Sequence, residues 1–266
     1  MKILVAVKQV AALDEDFEIR GDGKDVDPDF LVRDLNEWDD YSLEEAMKIK
    51  EGSSIPVEIV ALCVGPDDAD EVLRKCLAKG ADRAIRVWDD ALEGSDSIAI
   101  ARIIAAVAKR EAPDLLFAGV QSSDHAFAST GIATAAFLDW PHAAVVANLT
   151  YTPGAKTAVF RRELEGGVLH EMQIECPAVF TVQLGINTPR YASLRSIKQA
   201  AAKPIETSSP KDLGMAASDV GESGSLSRVR RMYIPEKGRA EMIGGSVAEQ
   251  AAKLAQIIKD RAGSGI

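Results

Sequence analysis

A chain of 266 residues can bury one sizeable core, which predicts one domain with an appendage and leaves no room for a second full domain. Hydrophobic residues at 47% and charged residues at 27% are the proportions of a soluble globular protein and exclude a disordered or fibrous one. The formal net charge of -10 excludes non-specific nucleic-acid binding, which needs a basic surface, and favours a basic partner instead.

Cys63, Cys76 and Cys176 lie far apart and form no CxxC pair, so neither a disulfide framework nor a zinc knuckle is expected, and a reducing cytoplasm is the predicted location. The start MKILVAVKQV lacks the apolar core and small-residue cleavage pattern of a signal peptide, and no run approaches transmembrane length. Membrane insertion is not expected.

In chain order, Ile3 to Val7 is a short β-branched run, apolar on both faces, as a buried parallel strand requires. Lys8 to Leu13 follows it without a glycine, so the GxGxxG turn of a nicotinamide-binding fold is absent. Acidic, turn-rich sequence from Asp14 to Asp34 leads into a helix over Asp39 to Lys50. A second strand, Val57 to Val64, ends in Gly65-Pro66 and precedes a helix over Asp68 to Lys79. Strands at Arg83 to Trp88 and Leu115 to Val120 alternate with helices at Ser97 to Arg110 and Ser129 to Leu138. The alternation predicts an α/β fold, a doubly wound and mostly parallel sheet with its ligand crevice at the carboxyl ends of the strands. After Pro141 the runs Ala144 to Thr152, Ala158 to Leu164, Leu169 to Ile174 and Ala178 to Leu184, separated by Pro153-Gly154 and Gly166-Gly167, read as antiparallel strands added at an edge. From Asn187 compact periodicity is lost until an amphipathic helix over Val247 to Ile258. A tail of that kind needs another surface to lie on.

The strongest chemical signal is the turn Gly119 to Gly131, which leaves a strand and opens a helix. Free N-H groups and the positive end of the helix dipole converge there on an anion, and Ser and Thr hydroxyls can complete the cradle. The competing reading is that Ser123, Asp124 and Ser129 cap the helix. No GxxxxGK[ST] is present, so phosphoryl transfer is not indicated. The stretch Asn36 to Tyr41, close to the ends of the first two strands, offers hydrogen bonds and the flat face of Trp38 to an adenosine, or else an N-cap and a surface aromatic. His125, His142 and His170 have no metal-ligand spacing, Cys63 and Cys176 sit in apolar strand runs, and no nucleophilic triad can be assembled locally.

Taken together, AVK near the start, NEWDDYSLEEA, VGP, LAKGADRAIRV, AGVQSSDHAFASTG, LDWP and NTPRYASLRSIKQA resemble the beta subunit of an electron transfer flavoprotein over nearly the whole chain. NEWDD and SRVRRMYIPEKGRA are most similar to beta subunits serving trimethylamine-type dehydrogenases of methylotrophic bacteria. The resemblance implies an adenine-nucleotide hydrolase-like fold without the hydrolase activity, hence an electron carrier subunit and not an enzyme. It implies a structural AMP at Ala6, Asn36, Glu37, Trp38, Asp39, Val64, Gly119, Gln121, Ser122, Ser123, Asp124, Ala128, Ser129 and Thr130. FAD is then held mainly by an alpha subunit, with Leu13 and Trp38 as neighbours. It further implies that Leu194, flanked by Tyr191, Ala192, Ser193 and Arg195, anchors a recognition loop on a primary dehydrogenase. Residues 1–186 would form the nucleotide-binding domain, and 187–266 the recognition loop and an arm on the alpha subunit. A bifurcating relative, with a second FAD in place of AMP, carries Asp-Gly-Asp-Thr in the loop where this chain has Asp124-His125-Ala126-Phe127. That alternative, and an adenine-nucleotide hydrolase lacking here its SGG-type loop after the first strand, are the competing functions.

Overall fold

A computed structural model of the chain describes residues 1–13, 17–235, 238 and 240–263, excepting the side chains of 12 and 13. It divides into two compact units, Met1–Arg230 and Arg231–Ile266. In the first, the amino-terminal run forms β1 (Lys2–Val7), buried on both faces from Ile3 onward. Its side chains alternate between two cores: Ile3, Val5 and Val7 face one, Leu4 and Ala6 the other. Helices α1 (Glu37–Glu51) and α2 (Asp70–Lys79) cover the first face through residues such as Leu43, Met47, Leu73 and Cys76. Helices α3 (Ser97–Glu111) and α4 (Thr130–Leu138) cover the second through Ile103, Val107, Ala135 and Leu138. This is the doubly wound architecture that the alternation of strands and helices predicts.

Beside β1 lie β4 (Glu58–Val64) and then β5 (Arg83–Val87) on one side, and β6 (Leu115–Gly119) on the other, all parallel. Further out the antiparallel expectation needs correcting. The strands β7 (His142–Thr150), β8 (Thr157–Glu163) and β9 (Leu169–Glu175) do follow one another antiparallel to the sheet edge. But β10 (Ala178–Val182) slots between β6 and β7, parallel to both. All five of its residues are buried, so it needs cover on both faces, which an edge position does not give. Phe180 packs edge-on against Phe117 and Phe160, with ring centroids 5.6 Å and 6.3 Å apart. Where β7 slips its register against β10, Val145 takes a φ of 58° as the bulge residue, its N-H donating to the Thr181 hydroxyl.

Three further strands were not legible as such. The stretch after β1 forms a small antiparallel ribbon, β2 (Gln9–Leu13) with β3 (Leu31–Leu35), where no strand is expected and Asp14 to Asp34 reads as turn-rich. The three-residue β11 (Glu206–Ser208) pairs with β5 at the far edge. Residues 187–230, which lose periodicity, thus lie on the first unit. Single small anchors hold them: Ala200, from helix α5 (Leu194–Ala202), and Val220 are both buried. The Arg74 guanidinium donates to the carbonyls of Ala200, at 2.8 Å, and of Lys203. In the second unit the last helix, Val247–Gly263, opens on Ser246, whose N-H donates to the Glu249 carboxylate at 2.7 Å. None of its residues is buried, and Val247, Leu254 and Ile258 are exposed.

Candidate functional site

From β1 the chain winds outward to β4 and β5, then returns to β6 on the opposite side of β1. The direction of winding reverses between β1 and β6, and an open α/β sheet forms its ligand crevice at the carboxyl ends of the strands at such a point. Pairing between these two strands ends at Val5 with Phe117, although they run on to Val7 and Gly119. The first turn of α1 enters at their ends. Asp39 accepts from the Lys8 N-H through Oδ2 and from the Gly119 N-H through Oδ1, both at 2.8 Å. The approach is so close that a Cβ on Gly119 would sit 2.5 Å from the Trp38 Cβ and 2.6 Å from Asp39 Oδ1, so only glycine fits. Burial pushes the Asp39 carboxyl up to about 7, against the pull of the two N-H groups, the Asn36 side chain and the Lys8 charge.

Asn36, also buried, holds the loop after β6. Its amide donates to the Gln121 carbonyl at 2.9 Å, and its carbonyl accepts from the Ser123 N-H at 3.2 Å. Lys8 holds it from the other side. Its ammonium is 2.7 Å from Asp124 Oδ1, 3.2 Å from the Ser122 hydroxyl and 3.4 Å from His125 Nδ1. Burial opposes ionisation of Asp124, but the Lys8 ammonium and the Ser122 hydroxyl outweigh it and hold the carboxyl below its usual range. Burial, then the Lys8 charge, lowers His125. Ala126 and Ala128 are both left-handed, with φ 51°, a strained conformation for a residue with a side chain.

The loop ends at α4, whose amino terminus has no side-chain cap. The Ser129 hydroxyl bonds instead to the Ser97 hydroxyl at 2.9 Å. Among the described residues nothing accepts from the N-H groups of Ala128, Ser129 or Thr130. The capping alternative for Ser129 is therefore not the one adopted. Free N-H groups and the positive helix end make this a place for an anion on an otherwise acidic chain.

Of the other candidate residues, Ala6 is buried in β1 just before the crevice, and Val64 closes β4, half-buried. Glu37 is exposed at the first position of α1. Trp38 is half-buried and its indole N-H donates to Gln183 Oε1 at 3.1 Å, just past β10. The side chain of Leu13 lies outside the described residues. Sequence reasoning missed Lys8 and Gln183. Each directly follows a buried strand that ends at the crevice, and that position was the available signal. Among the described residues no cluster of His, Cys, Asp or Glu could hold a metal ion, and no helix is long and apolar enough to cross a membrane.

A second constellation lies on the segment leading into α5. Arg190 forks onto α1, bonding Glu44 at 2.8 and 2.9 Å and Glu51 at 2.5 and 3.0 Å. Asn187 donates to the Tyr41 carbonyl and the Glu45 carboxylate at 3.0 and 2.9 Å. With that base fixed, Ala192 packs half-buried on the core, and Ser193 caps α5 by accepting from the Ser196 N-H. Tyr191 and Leu194 are left 99% and 81% exposed beside exposed Arg195.

The electron transfer flavoprotein domain family matches residues 31–213. The chain is 69% identical over 264 residues to the electron transfer flavoprotein subunit beta of Methylophilus methylotrophus, covering 99% of this chain and 100% of that one. It is 34% identical over 254 residues to the mitochondrial subunit beta of Arabidopsis thaliana, covering 96% and 97% of the two chains. To subunit beta of Bradyrhizobium diazoefficiens it is 37% identical over 216 residues, covering 81% and 84%. The chain therefore belongs to the electron transfer flavoprotein family and is of its beta-subunit type.

Proposed function

We propose that this electron-carrier subunit works in a heterodimer that takes electrons from a primary dehydrogenase and passes them to a respiratory acceptor, and that it holds AMP in the crevice between β1 and β6. The observation that carries the nucleotide reading is the uncapped amino end of α4, closing a loop that the Lys8 ammonium holds at Asp124, at the point where the winding of the sheet reverses. The residues fit the group. The N-H groups of Ala128, Ser129 and Thr130 have no partner among the described residues and suit a phosphate. The ends of β1 and β4, at Ala6 and Val64, offer an apolar wall to the adenine, and Asn36 and Asp39 fix the loop around it. In this reading the nucleotide is a structural ligand of an electron-carrier subunit, as the likeness to electron transfer flavoprotein beta subunits suggests.

Redox chemistry belongs to FAD, which the alpha subunit holds for the most part; Leu13 and Trp38 belong to the side of this chain that approaches it. Tyr191 and Leu194, presented outward from a base clamped by Arg190, form the docking element for a dehydrogenase of the trimethylamine type. The last helix, with exposed Leu254 and Ile258, lies on the alpha subunit, and the assembly works in the cytoplasm.

The test is to purify the chain co-expressed with its alpha subunit, denature the complex and identify what is released. The expected result is one AMP and one FAD per heterodimer. No adenine nucleotide overturns the AMP reading, two FAD replace it with the bifurcating one, and turnover of added ATP replaces it with the hydrolase.

A further inference from the structure

The ends of β1 and β6, unpaired past Val5 and Phe117, are joined by a side chain in place of a ladder. Asp39 is 5% exposed, and each of its oxygens is engaged by a backbone N-H, one from each strand end. The nearest cation, the Lys8 ammonium, turns outward to Ser122 and Asp124. Burying a carboxylate disfavours its charged form, and an apolar residue of similar size would avoid that cost. A buried group that costs stability and takes a backbone N-H from each of the two strand ends bordering the crevice, with the Asn36 side chain beside it, is placed there for geometry.

We propose that Asp39 is the positioning residue of the crevice, its carboxylate fixing the spacing of Lys8 and Gly119 and so setting the course of the 119–130 loop. The consequence for a bound nucleotide rests on the function proposed above; the pin itself does not. Two N-H donors converge on this side chain, so it must offer two acceptors. Asparagine has the same shape but only one, and its NH2 would face the second donor. Gly119 tests the pin from the opposite side, because a methyl group there would press on Asp39 Oδ1 at 2.6 Å.

The experiment uses the full chain in complex with its alpha subunit. Hydrogen exchange is read by mass spectrometry and AMP binding by equilibrium dialysis, for wild type, Asp39→Asn, Gly119→Ala and the double variant. Asp39→Asn should speed exchange of the 119–130 amides and weaken AMP binding, each by roughly tenfold or more, as leaving a buried donor unsatisfied implies. Exchange in β4, β5 and α3 should not change. Gly119→Ala should do the same, and the double variant should be no worse than either single one, because both break one linkage. Wild-type loop exchange in Asp39→Asn overturns the inference. So does faster exchange across the whole sheet, which would make Asp39 a core residue, or strictly additive effects. If wild type binds no AMP, the proposed function fails and the exchange data alone decide the role of Asp39. Should Asp39→Asn not assemble, the wild type decides: the Lys8 and Gly119 amides should be among the slowly exchanging ones, and rapid exchange at both overturns the pin.

Discussion

The two ends of the central strands solve opposite problems. At the amino ends, Glu111 from the last turn of α3 is bonded by Lys2 at 3.0 Å and Arg83 at 2.9 Å, while Glu206 is bonded by Arg83 and Arg110 at 2.9 and 2.7 Å. Burial works against the Glu111 carboxyl, but Arg83 and Lys2 bring it down to about 2. At the carboxyl ends a buried carboxyl is pushed up to about 7, two alanines are left-handed and a helix is uncapped. At one end Glu111 and Glu206 each find opposite charges. The other keeps strain and unused hydrogen-bonding capacity in place, which is where a ligand has something to gain.

The largest expected effect is at the amino ends. Glu111→Ala removes two charge-assisted hydrogen bonds and should destabilise the complex by about 2 kcal/mol at neutral pH, read by urea denaturation, with nucleotide content unchanged. Loss of nucleotide in this variant would mean that the two ends are coupled, and the contrast between them would fail.

Acid titration sharpens the contrast, because the two carboxyls have opposite signs. The Glu111 pKa is depressed from its ordinary 4.5 to about 2, so its stabilisation is present above 4.5 and is lost as pH falls toward 2. Asp39 is raised from 3.8 to about 7, so the native state binds the extra proton between these values, and stability falls as pH rises from 3.8 to 7. Glu111→Gln should therefore flatten the acid limb of a stability profile below pH 4.5, and Asp39→Asn should flatten the part between 3.8 and 7. Equal profiles for wild type and Asp39→Asn would show that Asp39 is ionised throughout that range.

A smaller effect of opposite sign is expected at the helix. Ser129→Asp supplies the missing cap and should stabilise the nucleotide-free chain by about 1 kcal/mol while repelling the phosphate and emptying the site. Melting with and without added AMP checks it; an unchanged response to AMP would remove the phosphate from this helix end. The smallest change in stability, within about 0.5 kcal/mol, is expected for Leu194→Ala, since truncating an exposed side chain leaves no cavity. Electron transfer from the dehydrogenase should nevertheless fall by roughly thirtyfold, the effect of losing about 2 kcal/mol at an interface anchor. A lowered melting temperature with an unchanged rate would make Leu194 a residue of the fold.

Much of this was legible along the chain. Runs such as Ile3 to Val7 and Leu115 to Gly119 are apolar on both faces because strands inside a parallel sheet are covered on both, and the loop opening α4 shows in its small and hydroxylic residues. The family pattern in NEWDD and NTPRYASLRS picks out the residues at the crevice and on the outward-facing segment before any coordinates are known. Those features are local: a strand's burial pattern, a helix's first turn and a short motif each sit within about ten residues.

What tertiary structure alone decided is non-local. That Ala178 to Val182 lies between β6 and β7 depends on distant partners, Ala178 pairing with Leu115 and Val179 with His142, and no local period encodes that choice. The ribbon of β2 with β3 spans an acidic stretch that hides it, and β11 is too short to show a period. Along the chain Lys8 carries no signal of its own, and Asp39 reads as the start of a helix and, by resemblance, as a residue of the AMP site. They are 31 positions apart, and only the splaying of β1 from β6 brings the Asp39 carboxylate between two backbone N-H groups. Side-chain chemistry is written in the sequence, but which donors a buried acceptor meets is set by strand order, because that order determines which chain ends are left without a ladder.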